Sequence, residues 1–328
     1  MKKVLNILFL VMLFSLLVAC GQEDTDSENT GANEEENAVE ETEVEAGYPV
    51  SLTDAVGNEI TLEKEPERIV SLIPSNTEIT FALGQGEKIV GVSDHDNYPE
   101  EVQEIEKIGG MELNVEVIIA LEPDVILAHE LGLSSAQEAF EQLKEAGIDV
   151  FVIEDAQDIA STYETIDTIG KVVGAEEEAE QVISEMKEGF AEIEELTSAI
   201  PEDERQSVFF ENSPAPEIYT AGQNTFIQEL LDMIHAENAA SDHEGWLALD
   251  PEAIIELNPD VIITSYGAYI EDPEGEVLSR EGFDSVEAVA NERVYDIHAD
   301  LITRSGPRLV DGARALAEVV YPELFDEE

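Results

Sequence analysis

The chain reads as an α/β protein of two similar lobes, each with a mostly parallel sheet flanked by helices, joined by a single long helix. Three observations carry this. Residues 114–128 (NVEVIIALEPDVILA) and 250–264 (DPEAIIELNPDVIIT) repeat one another at an offset of 136 residues, with eight of fifteen positions identical. Short apolar runs alternate with amphipathic stretches, the signature of strands alternating with helices around a parallel sheet. Between residues 176 and 198, apolar side chains fall at Ala179, Val182, Ile183, Met186, Phe190, Ile193 and Leu196, which is helical spacing over about six turns. That helix lies between the two repeats and is the natural crossover between lobes. Two lobes leave a cleft, and clefts are where small ligands most often bind.

The chain begins with Lys2 and Lys3, followed by an apolar run over residues 4–18. Fifteen residues are short for a membrane-spanning helix, and the basic start marks 1–19 as a signal peptide. The run ends Leu17-Val18-Ala19-Cys20-Gly21, which resembles a bacterial lipobox, where the cysteine becomes the lipidated first residue. The plain alternative is a cleaved signal peptide with a chance cysteine. Cys20 is the only cysteine, so intrachain disulfides and cysteine-rich metal sites are excluded. Residues 22–46 carry eleven acidic residues and no Lys or Arg. They hold too little apolar surface to fold. Residues 20–47 therefore read as a lipid-bearing cysteine and an acidic disordered tether, spanning at most ~80 Å.

Acidity extends beyond the tether. The chain has 15 basic against 77 acidic residues, a net charge of -62. Nucleic acid is excluded as a partner, because neutralising phosphates takes Lys and Arg. The balance suits a salty or alkaline exterior, where screening tolerates self-repulsion. The chain thus reads as lipid-anchored to a cell membrane, on its extracellular or periplasmic face, touching the membrane through the lipid alone.

About 280 residues remain to fold, enough for two lobes. The first lobe takes 48–157, the helices that include the crossover take 158–199, and the second lobe takes 200–328. In the first, a strand is expected over 68–73 and a helix over 78–83, capped by Ser75 or Asn76 and ended by Gly84. Then come a strand over 88–92, a helix over 115–121, a strand over 124–128, a helix over 134–146 and a strand over 149–153. A helix over 158–173 stops at Gly174. The second lobe gives a strand over 207–210, a helix over 225–234, the second repeat, a strand over 293–297 and a helix over 307–320.

The repeat explains itself locally. Asp250 suits an N-cap, Pro251 the first helical position and Glu252 the first turn; Asn114 and Glu116 take the matching places. Pro123 and Pro259 stop each helix before a buried strand. Glu116 and Glu252 are therefore well placed as acids beside positive helix ends. Occupying the same place in each lobe, they also suit docking onto the basic residues of a symmetric partner, and the two roles are compatible.

Longer stretches carry a family resemblance: IVSLIPSNTEITFALG (69–84), VGVSDHDNYPEEVQEIEKIGG (90–110), the repeat, YTAG (219–222), GW (245–246), LNPDVII (257–263) and RSGPR (304–308). In order and spacing the chain resembles, over about 48–324, the helical-backbone substrate-binding proteins of bacterial ABC importers for cobalamin, ferric siderophores and haem. The resemblance implies a monomeric, non-enzymatic receptor. Its two α/β lobes are joined by one rigid helix and close only slightly on a small-molecule metal chelate. It needs no cofactor of its own, any cobalt or iron belonging to the ligand. Its partner is an ABC permease with ATPase subunits, whose arginines meet carboxylates at the positions of Glu116 and Glu252. The cobalamin-binding branch fits best. Trp246 and Tyr219 match its cleft aromatics, and Asp300 and Arg304 match a polar pair contacting corrin amides. A flat macrocycle gripped by aromatic faces and oriented by a few polar groups fits this set. Core packing for the aromatics and a plain ion pair for Arg304 are the alternatives. The chain departs from the branch at Gly110, where a second cleft Trp is expected, and at His95, where a Tyr is expected. That leaves room for another corrinoid or another chelate.

Within the same architecture, a ferric siderophore or haem is the main rival ligand. Haem iron takes a His or Tyr, and His129 and Tyr266, just past the repeated strands, face the cleft in this reading. A zinc or manganese receptor would need converging His and carboxylates, but the five histidines are dispersed. A secreted hydrolase finds no G-x-S-x-G, H-E-x-x-H or P-loop.

Overall fold

The computed structural model describes residues 47–133 and 136–325. The expected signal peptide, Cys20, all but the last residue of the tether, and Ser134 and Ser135 at the expected helix start lie outside the described residues. In chain order the first half comprises β1 (Val50–Thr53), β2 (Glu59–Leu62), β3 (Ile69–Ser71), α1 (Pro74–Ala82), β4 (Ile89–Val92) and β5 (Glu106–Lys107). It continues with α2 (Val115–Ala120), β6 (Val125–His129), α3 (Glu130–Leu133), α4 (Gln137–Glu145) and β7 (Asp149–Ile153). Two long helices follow, α5 (Ile159–Val173) and α6 (Glu176–Thr197). The second half comprises β8 (Ser207–Glu211), β9 (Ile218–Ala221), α7 (Phe226–Met233), β10 (Glu237–Asn238), β11 (Trp246–Leu249) and α8 (Pro251–Leu257). It ends with β12 (Val261–Thr264), α9 (Pro273–Leu278), α10 (Glu287–Ala290), β13 (Val294–Asp296), α11 (Ala299–Ile302) and α12 (Leu309–Val320).

Two parallel sheets result, one per lobe. The first has the order β5-β4-β3-β6-β7 and the second β10-β8-β12-β13. Two antiparallel pairs stand apart from them, β1–β2 and the ribbon β9–β11. Neither pair is anticipated by the sequence reading, because short two-stranded ribbons leave too little alternation to register.

The repeat occupies the same place in both sheets: β6 lies between β3 and β7, and β12 between β8 and β13. The same local devices build each copy. The side chains of Asn114 and Asp250 accept from the backbone N–H of Val117 at 3.2 Å and of Ala253 at 2.9 Å, capping α2 and α8 as expected. Glu122 and Asn258 leave the helices in the left-handed conformation, at φ 46° and 48°. The prolines that follow forbid helical continuation. Asp124 and Asp260 then latch each strand to its neighbour. Their N–H groups donate to the carbonyls of Arg68 and Ser207, both at 2.8 Å. Their carboxylates accept back from the N–H of Arg68 at 3.0 Å and of Ser207 at 2.9 Å. Burial would raise the pKa of Asp124, but the N–H groups of Glu67 and Arg68 together with Lys64 outweigh it and hold the carboxyl below its ordinary value.

At α1 the sequence expectation is corrected. The helix starts at Pro74, with Ile73 rather than Ser75 or Asn76 as N-cap. Asn76 and Thr77 have tertiary uses instead: Asn76 Nδ2 donates to the Ala128 carbonyl at 3.1 Å, and Thr77 Oγ1 to Ser71 Oγ at 2.8 Å. Proline in the first turn loses no helical hydrogen bond. Glu78 therefore sits mid-helix and buried.

One apolar cluster runs through both lobes. It joins Ile69 and Phe151 of the first sheet, Met186 and Phe190 of α6, Phe210 of the second sheet and Leu316 of α12. α6 bridges the lobes, packing on α5 on one side and on α7 and α12 on the other. Each sheet also has a cluster of its own, around Ile118 and Ile126 in the first and around Phe209 and Ile262 in the second. Swinging one lobe against the other would expose surface of the shared core, which opposes such a motion.

The seat of α12 is close. A Cβ at Gly312 would lie 2.1 Å from the carbonyl oxygen of Leu301. Gly312→Ala is therefore expected to lower stability by about 1–3 kcal/mol, although alanine favours a helix by about 1 kcal/mol over glycine. Urea unfolding of the two proteins measures this, and a higher midpoint for the variant would show that α11 and α12 are not so tightly apposed.

Candidate functional site

In open α/β sheets the crevice lies beyond the C-terminal ends of the strands, and four of the sequence-predicted site residues lie at or past such ends. His129 ends β6, His95 follows β4, and Asp300 and Arg304 follow β13.

The first-lobe wall holds a cavity of about 250 Å³, lined by His95, Gly110, Met111, His129, Leu131 and Phe140 among others. No Asp, Glu, Lys or Arg is among its described lining residues. Burial lowers the pKa of His129 against the opposing pull of Asp155, so the ring is neutral at pH 7. Its Nδ1 is buried with no hydrogen-bond partner among the described residues. His95 rides on a loop pinned by buried Asp96, whose carboxylate accepts from Ser93 Oγ and whose carbonyl accepts from Lys107 Nζ at 3.1 Å. Burial raises the pKa of Asp96, with Ser93, Thr77 and Lys107 pulling the other way. A Cβ at Gly110 would lie 2.9 Å from His95 Nε2. The two departures from the cobalamin branch therefore touch one another: a side chain at position 110 would press on the His95 imidazole.

The second-lobe wall is the ribbon. Its register pairs Trp246 with Ala221 and Ala248 with Tyr219, so both aromatics stand on one face. They are 48% and 46% exposed. Trp246 is held edge-on to Phe210, with centroids 6.0 Å apart and an interplanar angle of 68°. The Asn212 N–H donates to the Tyr219 carbonyl at 2.8 Å, tying the ribbon to the end of β8. The glycine of the YTAG stretch also has its reason here: a Cβ at Gly222 would lie 2.3 Å from the carbonyl oxygen of His243.

Asp300 and Arg304 are brought together, and they are turned toward the first lobe. Arg304 pairs with Asp300 at 2.7 Å, donates to Asn97 Oδ1 at 3.0 Å and forms an ion pair with Glu78. Arg308 makes two bonds to the Glu78 carboxylate, at 2.8 and 2.6 Å, and lies 4.0 Å over the Tyr98 ring. Asn97 Nδ2 closes the set by donating to Asp300 Oδ2 at 2.8 Å. A ligand reaching Asp300 or Arg304 would compete with these bonds. Glu78 and Asn97 were missed in the sequence. The usable signal was two arginines four apart in a chain with so few cations, which demands a nearby acid.

Tyr266 is corrected. It is 2% exposed, and its hydroxyl donates to Glu211 Oε1 at 2.7 Å. Arg280 binds the same Glu211 at 3.0 and 2.6 Å and Glu276 at 2.6 Å. Burial and then the charge of Glu211 push the Tyr266 pKa well up, so the phenol stays protonated and serves the lobe interior, not the cleft wall. Glu116 and Glu252 are exposed in the first turns of α2 and α8.

The sequence profile of the periplasmic binding protein family matches residues 69–301. Across the full length of both chains, 328 residues, the sequence is 45% identical to an uncharacterized ABC transporter substrate-binding lipoprotein, YvrC, of Bacillus subtilis. It is 30% identical to a cobalamin-binding protein of Halobacterium salinarum over 284 residues, 84% of this chain and 74% of that one. A solved structure of a possible iron-binding (periplasmic solute-binding) protein from Staphylococcus epidermidis matches at TM-score 0.70 and 39% identity, covering 79% of this chain and 100% of that one.

The cross-lobe cluster yields a direct test. Glu78→Gln leaves two guanidiniums facing one neutral amide and is expected to cost ~3 kcal/mol in urea unfolding. A loss near zero would show that water, not Glu78, carries the arginines.

Proposed function

Since the chain belongs to the periplasmic binding protein family, the non-enzymatic substrate receptors of ABC importers, we propose that its ligand is a corrinoid held in the cleft. One observation carries the choice of ligand: the arginines at the cleft are already neutralised, Arg304 by Glu78 and Asp300 and Arg308 by Glu78. An anionic chelate, such as a carboxylate siderophore or haem with its propionates, needs free cations to offset the cost of burying its charge. The net charge of -62 adds repulsion that salt only screens. A corrinoid presents a flat ring edged with neutral amides. The Tyr219 and Trp246 faces suit the ring, and uncharged hydrogen bonds suit the amides. The 30% identity to a protein named cobalamin-binding supports the same reading.

One observation favours haem instead. Neutral His129 lines the first-lobe cavity and is chemically able to take an iron. Tyr266, the other candidate axial ligand, is committed to Glu211.

The receptor carries no cofactor of its own in this proposal. It works as a monomer on the outer face of the membrane, tethered through lipid on Cys20, and delivers ligand to an ABC permease with its ATPase subunits. Glu116 and Glu252 are the docking carboxylates.

Trp246 is the chain's only tryptophan and in this proposal faces the ligand, so it serves as a binding reporter. Cobalamin is expected to quench its fluorescence saturably, at micromolar concentration or below, while haem and a panel of ferric siderophores do not. Saturation by haem with silence from cobalamin would overturn the ligand assignment. Replacing both docking residues, Glu116→Arg with Glu252→Arg, is expected to abolish uptake in cells with cobalamin affinity unchanged; weaker cobalamin binding would instead place them in the ligand site.

A further inference from the structure

We propose that Asn97 is an internal stand-in for a ligand amide: its carboxamide occupies the Asp300–Arg304 pair and gives way when an amide of the ligand takes the pair. This rests on the corrinoid reading, in which the ligand carries primary amides on the rim of its ring.

The hydrogen bonds define what the pair accepts. Asn97 Nδ2 donates to Asp300 Oδ2 at 2.8 Å, and Asn97 Oδ1 accepts from Arg304 Nη1 at 3.0 Å. Arg304 Nη2 meets Asp300 Oδ1 at 2.7 Å and closes the ring of three side chains. An ionised carboxylate only accepts and a guanidinium only donates, so the pair offers one acceptor and one donor side by side. A primary carboxamide, with its oxygen and its NH2 on one carbon, answers both at once. A carboxylate would face the like charge of Asp300, and an ammonium that of Arg304. The group held there is a carboxamide, and it is the protein's own.

Asn97 is also placed to leave. It is exposed, whereas the Asp300 and Arg304 side chains are only 16% and 15% exposed. Its neighbours are held without it: Asp96 is buried and bonded to Ser93, and the Tyr98 ring lies under Arg308. Rotation of one side chain therefore uncovers the pair while the loop keeps its course. Arg304 stays aimed, because Glu78 binds it from the first lobe. Both bonds that Asn97 gives up are charge-assisted and so among the stronger ones. A ligand must match them before it gains anything, so Asn97 weakens binding overall and turns away molecules that have no amide to offer in exchange.

The test compares wild type with Asn97→Ala by isothermal titration calorimetry with cyanocobalamin and by urea unfolding without and with that compound. The variant is expected to bind cyanocobalamin about fivefold tighter, equivalent to about 1 kcal/mol. Without the compound the variant is expected to unfold at a lower urea midpoint than wild type; at saturation the two midpoints are expected to coincide. A residue that only braces the loop would lower both midpoints and leave affinity unchanged, which would overturn the exchange. Weaker binding by the variant would overturn it as well, making Asn97 a direct ligand contact. Either result leaves the corrinoid reading standing, whereas failure of cyanocobalamin to bind either protein would overturn both.

Discussion

Glu78, buried in the first lobe, is shared by Arg304 and Arg308 of the second, and most of what the cleft can do follows from that pairing. At an effective dielectric near 20, each close ion pair is worth about 4 kcal/mol of Coulomb energy, against which burial sets its own cost. In a chain with 77 acids and 15 bases, any arginine has many suitors. The fold selects one acid for two arginines and braces it from the side. Asn97 ties Asp300 to the first lobe, and the Tyr98 ring lies under Arg308. One cluster thus fastens the lobes to one another and braces the loop that carries His95. Arg304 and Arg308 spend their charge within the protein.

The rest of the site divides into two walls of different character. The second-lobe wall is made by backbone geometry: a two-stranded ribbon whose register sets Tyr219 and Trp246 on one face, with Gly222 allowing the strands to meet. The first-lobe wall is a cavity with no Asp, Glu, Lys or Arg among its described lining residues, in which the His95 and His129 rings pack against Gly110 and Gly132.

How much of this could be read from the sequence depends on how far apart the partners are. The repeat was legible because its caps, prolines and first-turn acids act within a few residues of one another, and the long helix because its spacing is periodic. The latching role of Asp124 and Asp260 was not, since each bonds to a strand more than fifty residues away. The α1 start was misplaced because Asn76 looks like a cap when only its neighbours are considered, whereas its amide reaches Ala128. Tyr266 was assigned to the cleft from its place after a strand. Strand position gives the edge of the sheet, not the direction of the side chain, and a buried Glu211–Arg280 pair drew the phenol inward. Glu78 meets Arg304 across 226 residues, with no local sign of the pairing.

The shared core along α6 has a kinetic meaning for the cell. A core shared by both lobes opposes any change in the spacing of Glu116 and Glu252. If the proposed docking through these two carboxylates holds, an importer that reads their spacing engages empty and loaded receptors alike, and the empty ones compete for its surface. Under that docking, import would rise with the fraction of receptors that carry cargo, and making more receptor without more cargo would slow it.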